Sequence, residues 1–156
     1  KVYEQKDLVK EIEYELNGKK YFGICFFNNS EGVEIRNKYS KICLGKKDVT
    51  LIKNELNVSN EIVIFEGFFD YLTFKNLEKQ ENSNTDFLIF NSTAMLFKVE
   101  ETLKKYDKIS LFLDNDSNGE FVKSKIQNQH KNVEDCSLIY QGFKDLNEWF
   151  CSKENL

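Results

Sequence analysis

The chain is 156 residues long, 40% hydrophobic and 31% charged, with 14 phenylalanines, seven tyrosines, seven glycines and no proline. That composition excludes a linker or a disordered chain and supplies the core of one domain with a small appendage. The net charge of −4 excludes phosphate binding by overall charge, so a nucleic-acid partner would need metal ions or a local basic strip. No apolar run approaches the roughly 18 residues of a membrane span, so no membrane partner is expected. No signal peptide is visible, and a first residue other than Met is expected of a segment from a longer chain.

In chain order, "LVKEIEYEL" alternates apolar with polar, Asn17-Gly18 follows, and "KKYFGICFF" alternates again. Asn-Gly between two such runs is a strong hairpin signal. "NNSEG" predicts a second turn and "VEIRN" a third strand, so residues 9–37 read as an antiparallel meander. "KYSKICLGKKDVT" is less regular. Strands are then predicted at Glu61–Phe65, Asp86–Phe90, Lys108–Leu113 and Cys136–Tyr140. Helices are predicted at Phe68–Gln80, Met95–Tyr106, Glu120–His130 and Asp145–Ser152. Apolar strands separated by helices imply parallel β-α-β units. The expected fold is α/β: a small parallel sheet flanked by helices and preceded by the meander.

Cys25, Cys43, Cys136 and Cys151 show no C-x-x-C spacing and are expected as reduced, buried thiols of a cytoplasmic protein. His130 is the only histidine, expected on a solvated helix. A histidine triad or multi-histidine metal site within this chain is thereby excluded.

Ligand sites in open parallel sheets lie beyond the carboxyl ends of the strands. The first strand of this half runs into Glu66-Gly67, with Asp70 one turn into the helix, and the third into Asp114-Asn115-Asp116. If those strands are neighbours, the carboxylates converge and repel, which one of them relieves by taking up a proton or a cation. Hard oxygen donors suit Mg²⁺, which keeps sites for water and phosphate. Taken alone, Asp116 reads as a helix cap, and Ser117 through Glu120 fits a capping box. D-N-D-S-N-G also fits the start of a calcium loop, but Lys125 stands where that loop needs a bidentate Glu. A haloacid-dehalogenase-type D-x-D would stand early in its chain, whereas only about 40 residues follow this one.

At these residues the chain resembles the toprim domain of bacterial-type primases, type IA and II topoisomerases and some nucleases. "IVIFEGFFDYLTF" is similar to the primase form of the Glu-Gly motif, and "LFLDNDSNGE" to its D-x-D. "NSTAML" falls at the small-residue turn, and "GFKDLNEWF" is similar to the closing K-D-x-D-E stretch, with Asn147 in place of an acid. "YFGICFFNNSEGVEIRNKYSKICLG" is similar to the β-rich segment before toprim in primase-like proteins that carry a zinc ribbon upstream. The resemblance divides the chain into a β-rich segment, 1–57, and a toprim domain, 58–156.

The resemblance implies that Glu66, Asp114 and Asp116 are catalytic and hold Mg²⁺ or Mn²⁺. It makes Asp70 and Asp145 accessory metal ligands and Asn147 an uncharged one beside Lys144. Gly67 is implied to permit a sharp turn. The implied activity is nucleotidyl transfer from nucleoside triphosphates on single-stranded DNA, alongside a helicase or other replication partner. Alternatives are strand cleavage of the nuclease or topoisomerase kind, and a non-catalytic module that docks nucleic acid or a replication partner. Arg36, Lys38 and Lys41, continued by Lys46 and Lys47, form the one basic strip and are expected to meet phosphates.

Overall fold

The computed structural model describes residues 7–54, 58–78 and 84–154. The first sheet is antiparallel and contains β1 (Lys10–Leu16), β2 (Lys19–Phe27), β3 (Val33–Arg36) and β4 (Lys41–Leu44), in that spatial order. Asn17 and Gly18 both take positive φ (52° and 73°), which gives the tight hairpin its twist and sets Leu16 opposite Lys19. In the next turn, Asn28 Oδ1 accepts the N–H groups of Ser30 (3.0 Å) and Gly32 (2.8 Å). A Cβ on Gly32 would lie 2.1 Å from the Lys46 carbonyl oxygen, so only glycine fits there.

The second sheet contains β5 (Thr50–Ile52), β6 (Glu61–Phe65), β7 (Thr85–Ile89), β8 (Lys108–Phe112) and β9 (Val133–Asp135), in the spatial order β5-β7-β6-β8-β9. β5 runs antiparallel to β7, and the other pairings are parallel. β5 thus carries this sheet across the boundary drawn at residues 57 and 58. The helices are α1 (Phe68–Leu77), α2 (Glu100–Leu103), α3 (Ser117–Gln129) and α4 (Leu146–Glu154). Among the described residues, no helix is long and apolar enough to cross a membrane.

Central strand β6 feeds two cores, because successive side chains leave a strand on opposite faces. Ile62 and Ile64 join Leu88, Leu111, Val122 and Ile126 on one face. Val63 and Phe65 join Phe68, Tyr71, Phe87 and Phe112 on the other. Phe26 of β2 belongs to the second cluster and stacks on Phe68 (centroids 5.4 Å apart, 10° between planes), and with Ile24 packed against the same cluster it docks the first sheet on the second.

Five local expectations are corrected. Cys136–Tyr140 is a 3₁₀ turn, and the strand is Val133–Asp135. Asp135 Oδ1 accepts the Ser137 N–H (3.0 Å) and hydroxyl (2.6 Å), which ends the strand there. Cys136 and Tyr140 point inward, while Leu138 and Ile139 are exposed. The single helix expected over Met95–Tyr106 is a 3₁₀ turn, Thr93–Lys98, followed by α2, with Val99 between them at φ −113°. This break buries Leu96 more deeply than Met95. The first helix ends at Leu77, and residues 79 and 80 of its expected end lie outside the described residues. No disulfide joins the four cysteines, but only Cys25 and Cys136 are buried, and Cys151 is exposed. His130 is half-buried just past α3, and desolvation and the Lys104 charge depress its pKa.

Phe65 is 0% exposed and its ring meets Tyr71, Phe74 and Phe112 at centroid distances of 5.7, 5.3 and 5.4 Å. Phe65→Ala should therefore cost about 3–5 kcal/mol of stability in urea denaturation, the usual range for emptying a phenylalanine site in a packed core.

Candidate functional site

β6 and β8 pair in parallel with Phe65 opposite Phe112, so both strands release their chain at the same edge of the sheet. Glu66 leaves β6 there, and Asp114 follows two residues after β8. Glu66 Oε2 is buried and, among the described residues, has no hydrogen-bond partner. Burial pushes the Glu66 carboxyl up to about 7, and the charges of Asp114 and Asp116 add to the shift; an Asp114 backbone N–H and the Lys41 charge oppose it. Burial also raises Asp114, against an ion pair with Lys144 (Oδ2 to Nζ 3.0 Å).

Asp70 lies on the first turn of α1 and is 6% exposed. Burial pushes its carboxyl up to about 8, with the Asp145 charge next in weight. Asp70 Oδ1 accepts the Asn147 N–H (3.1 Å), and Asn147 Oδ1 accepts the Thr73 hydroxyl (3.1 Å). Asn147 therefore ties α4 to α1 with both its backbone and its amide. Asp145 Oδ1 accepts the Glu148 N–H (2.7 Å) at the start of α4.

Asp116, not Ser117, is the cap of α3. Its Oδ1 accepts the N–H groups of Asn118 (2.8 Å) and Gly119 (3.0 Å). The carboxylate thus contributes a charge near Glu66 while one oxygen is engaged by the helix. Gly67 stands in the bend between β6 and α1 with an extended backbone (φ −125°, ψ 158°) that does not require glycine; a Cβ there would press on Asp70 Oδ2 at 3.3 Å.

A cavity of about 200 Å³ opens above these groups, lined by Arg36, Lys41, Glu66, Asp70, Asp114 and Lys144, with Phe69, Asp145 and Asn147. The basic strip does not present one face. Arg36 is buried, its Cζ 5.2 Å from the centre of the Phe68 ring, with Nη1 bonded to the Ile35 carbonyl (2.9 Å) and Nη2 unpartnered. Desolvation holds the Arg36 pKa down at about 10. Lys41, opposite Arg36 in the β3–β4 register, reaches the same cavity. Desolvation and the Arg36 charge lower the Lys41 pKa, while Glu66 and Asp114 pull the other way. Lys38 is exposed near Tyr39 (5.7 Å to the ring), and Lys47 lines a neighbouring cavity.

Two residues in the acidic loop matter beyond the carboxylates. The Asn115 N–H donates to the Lys144 carbonyl (2.7 Å), and Asn115 Nδ2 donates to the Phe143 carbonyl (2.9 Å), fastening the two loops together. Gly119 packs so closely on the Asp114 carbonyl that a Cβ would lie 2.0 Å from it. The sequence signal for both was present, in the middle position of D-x-D and the glycine after it.

Among the described residues, no group of three acidic, histidine or cysteine side chains is drawn up into metal-ligating geometry. The donor set nonetheless fits a hard divalent cation. Among the described residues, Glu66 Oε2 is a buried acceptor without a partner, and Asp114 beside it is paired with a lysine reaching in from the surface.

The Toprim-like family profile matches residues 63–150, more than half of the chain. The chain belongs to the Toprim-like family. A second profile, described as a domain of unknown function (DUF8464), matches residues 2–45. Among solved structures, this toprim chain is similar to the primase fragment of the bacteriophage T7 primase-helicase protein. The TM-score is 0.64 and the identity 16%, over 93% of this chain and 63% of that one, so the chain spans under two thirds of that fragment. It is also similar to a chain from the bacteriophage T7 lagging-strand DNA polymerase interacting with primase domains of two gp4 subunits bound to an RNA/DNA hybrid and dTTP. There the TM-score is 0.57 and the identity 16%, over 93% of this chain and 78% of that one. The toprim fold here is that of primase-like proteins. No curated protein matches the chain.

The crowded acids set a pH dependence. Glu66 and Asp70 hold protons in the folded state at about 7 and about 8, above the range of an unfolded carboxyl. The native state then binds more protons than the unfolded one, so their stabilisation is present at low pH and lost as pH rises through those values. In metal-free buffer, unfolding free energy from urea titrations should fall between about pH 5 and pH 8. Asp70→Asn should flatten the upper part of that fall.

Proposed function

We propose that this chain is the toprim catalytic part of a primase-like nucleotidyltransferase, carrying out metal-dependent phosphoryl transfer on DNA. The observation that carries the reading is the meeting of Glu66 and Asp114 at the ends of adjacent central strands, with Glu66 Oε2 buried and unpartnered. The likeness to primase domains bound to an RNA/DNA hybrid and dTTP supports it.

Glu66 and Asp114 would hold Mg²⁺ or Mn²⁺, with Asp116, Asp70 and Asp145 as surrounding acids and Asn147 holding α4 against α1. The metal, when bound, supplies activation of a 3′-hydroxyl and neutralisation of triphosphate charge. Lys41 and Lys144 draw phosphate oxygens to the cleft mouth. Phe68 covers Arg36 at the wall of the cleft, where its charge adds to that of Lys41. Single-stranded DNA, nucleoside triphosphates and a helicase or other replication partner follow from this reading.

A second reading is strand cleavage. Glu66 is favoured for it by a carboxyl pushed up to about 7, which gives and takes a proton near neutrality.

The test is nucleotide incorporation on a single-stranded template by the full-length protein with Mg²⁺ or Mn²⁺. Glu66→Gln and Asp114→Asn should each reduce incorporation to background. Millimolar Mn²⁺ should raise the melting temperature of the wild type, with matched NaCl as control, and the rise should shrink in Asp114→Asn. Cleavage of the strand without incorporation would select the second reading. Absence of both activities and of any Mn²⁺ response would remove the catalytic reading altogether.

A further inference from the structure

We propose that Lys144 is an exchangeable counter-cation: its ammonium holds the metal's place on Asp114 and, once displaced, turns to the phosphate of the incoming substrate. The inference rests on the metal-dependent reading above and names a role for a residue that reading leaves at the rim.

The ion pair is asymmetric. Lys144 Nζ lies 3.0 Å from Asp114 Oδ2, and the Asp114 side chain is 11% exposed whereas that of Lys144 is 61% exposed. The acid belongs to the floor of the cleft and the lysine enters from solvent, so withdrawing the lysine opens no core contact. Among the described residues, Asp114 is its one ion-pair partner. An ion pair with an exposed, flexible lysine is cheap to break.

The root of Lys144 is fixed, so departure of the ammonium is a side-chain motion only. Its N–H donates to Glu148 Oε2 (2.6 Å), and its carbonyl accepts the Asn115 N–H (2.7 Å). Asn115 sits beside Asp114, so the lysine stays anchored at the same rim whichever way its end points. From there it reaches a phosphate over the cleft as a compact cation.

Contact and exposure select which lysine leaves. Lys41 feels the charges of Glu66, Asp114 and Glu34, whereas Lys144 feels those of Asp114, Asp145 and Asp116 and is the one paired with Asp114 among the described residues. Lys41 is backed by Arg36 on the first sheet, whereas Lys144 stands on a loop in water. A dication replacing one ammonium neutralises one more negative charge, which the crowded carboxylates favour. The same exchange accounts for the open arrangement of the acids, because one Asp114 oxygen is already occupied.

Mn²⁺ is the probe, in the full-length protein, with Lys131→Met as the surface control. Calorimetric titration should give Mn²⁺ binding about tenfold tighter in Lys144→Met than in wild type. Binding of ATP to the Mn²⁺-loaded protein should be weaker in that variant. In the wild type, acetylation of Lys144 read by mass spectrometry should speed up several-fold on adding Mn²⁺, and acetylation of Lys131 should not change. Equal or weaker Mn²⁺ affinity in Lys144→Met, or Lys144 acetylation that is unchanged or slowed by Mn²⁺, overturns the inference. If Asp114→Asn abolishes Mn²⁺ binding while Lys144→Met leaves it unchanged, the inference falls alone and the metal reading stands. If neither wild type nor Lys144→Met binds Mn²⁺, both fall.

Discussion

The parallel pairing of β6 with β8 is the constraint from which the cleft follows. Because Phe65 stands opposite Phe112, the chain leaves both strands at one edge, and Glu66 has no choice but to face the Asp114 loop. The pairing is enforced from both faces of the sheet: Ile62 and Ile64 are locked into one core, Val63 and Phe65 into the other. A one-residue slip would exchange the two sets and drive Phe65 into a space shaped for isoleucine. The hydrophobic burial of one strand therefore holds like charges together that would otherwise separate.

What the strands force together, the rest of the chain tempers. The carboxyls of Glu66 and Asp70 are pushed up to about 7 and about 8, Lys144 pairs with Asp114, and the first sheet lends Lys41. Other acids are kept harmless by being given structural work: Asp116 caps α3, Asp145 receives an N–H at the start of α4, and Asp70 holds the Asn147 backbone. The cleft is thus assembled from groups with two occupations, one in the fold and one in the electrostatics.

The sequence made the parallel strands legible because β6, β7 and β8 are apolar runs bounded by polar turns, and Asn17-Gly18 announced its hairpin through backbone sterics alone. The cluster of Glu66 and Asp114 was legible once those strands were taken as neighbours. Less was readable where a side chain competes with periodicity. Asp135 turns an apolar run into a 3₁₀ turn, and Val99 splits a helix whose stripe looked continuous. The inward turn of Arg36 was hidden for another reason: a run of basic residues reads as solvated unless the ring that receives it, Phe68, is known to lie opposite. The position of Asn115 in the motif was visible, but its partners were not, since they are carbonyls of a loop nearly thirty residues away.

The two sheets contribute opposite signs to one cavity. Arg36 and Lys41 lie within the residues matched by one family profile, and Glu66 and Asp114 within those matched by the other. The profiles thus divide the sequence at a place where the cavity is not divided. Recombination that exchanged either half for that of a distant relative would transplant half of an electrostatic pair, together with one ring of the Phe26–Phe68 stack that aligns it.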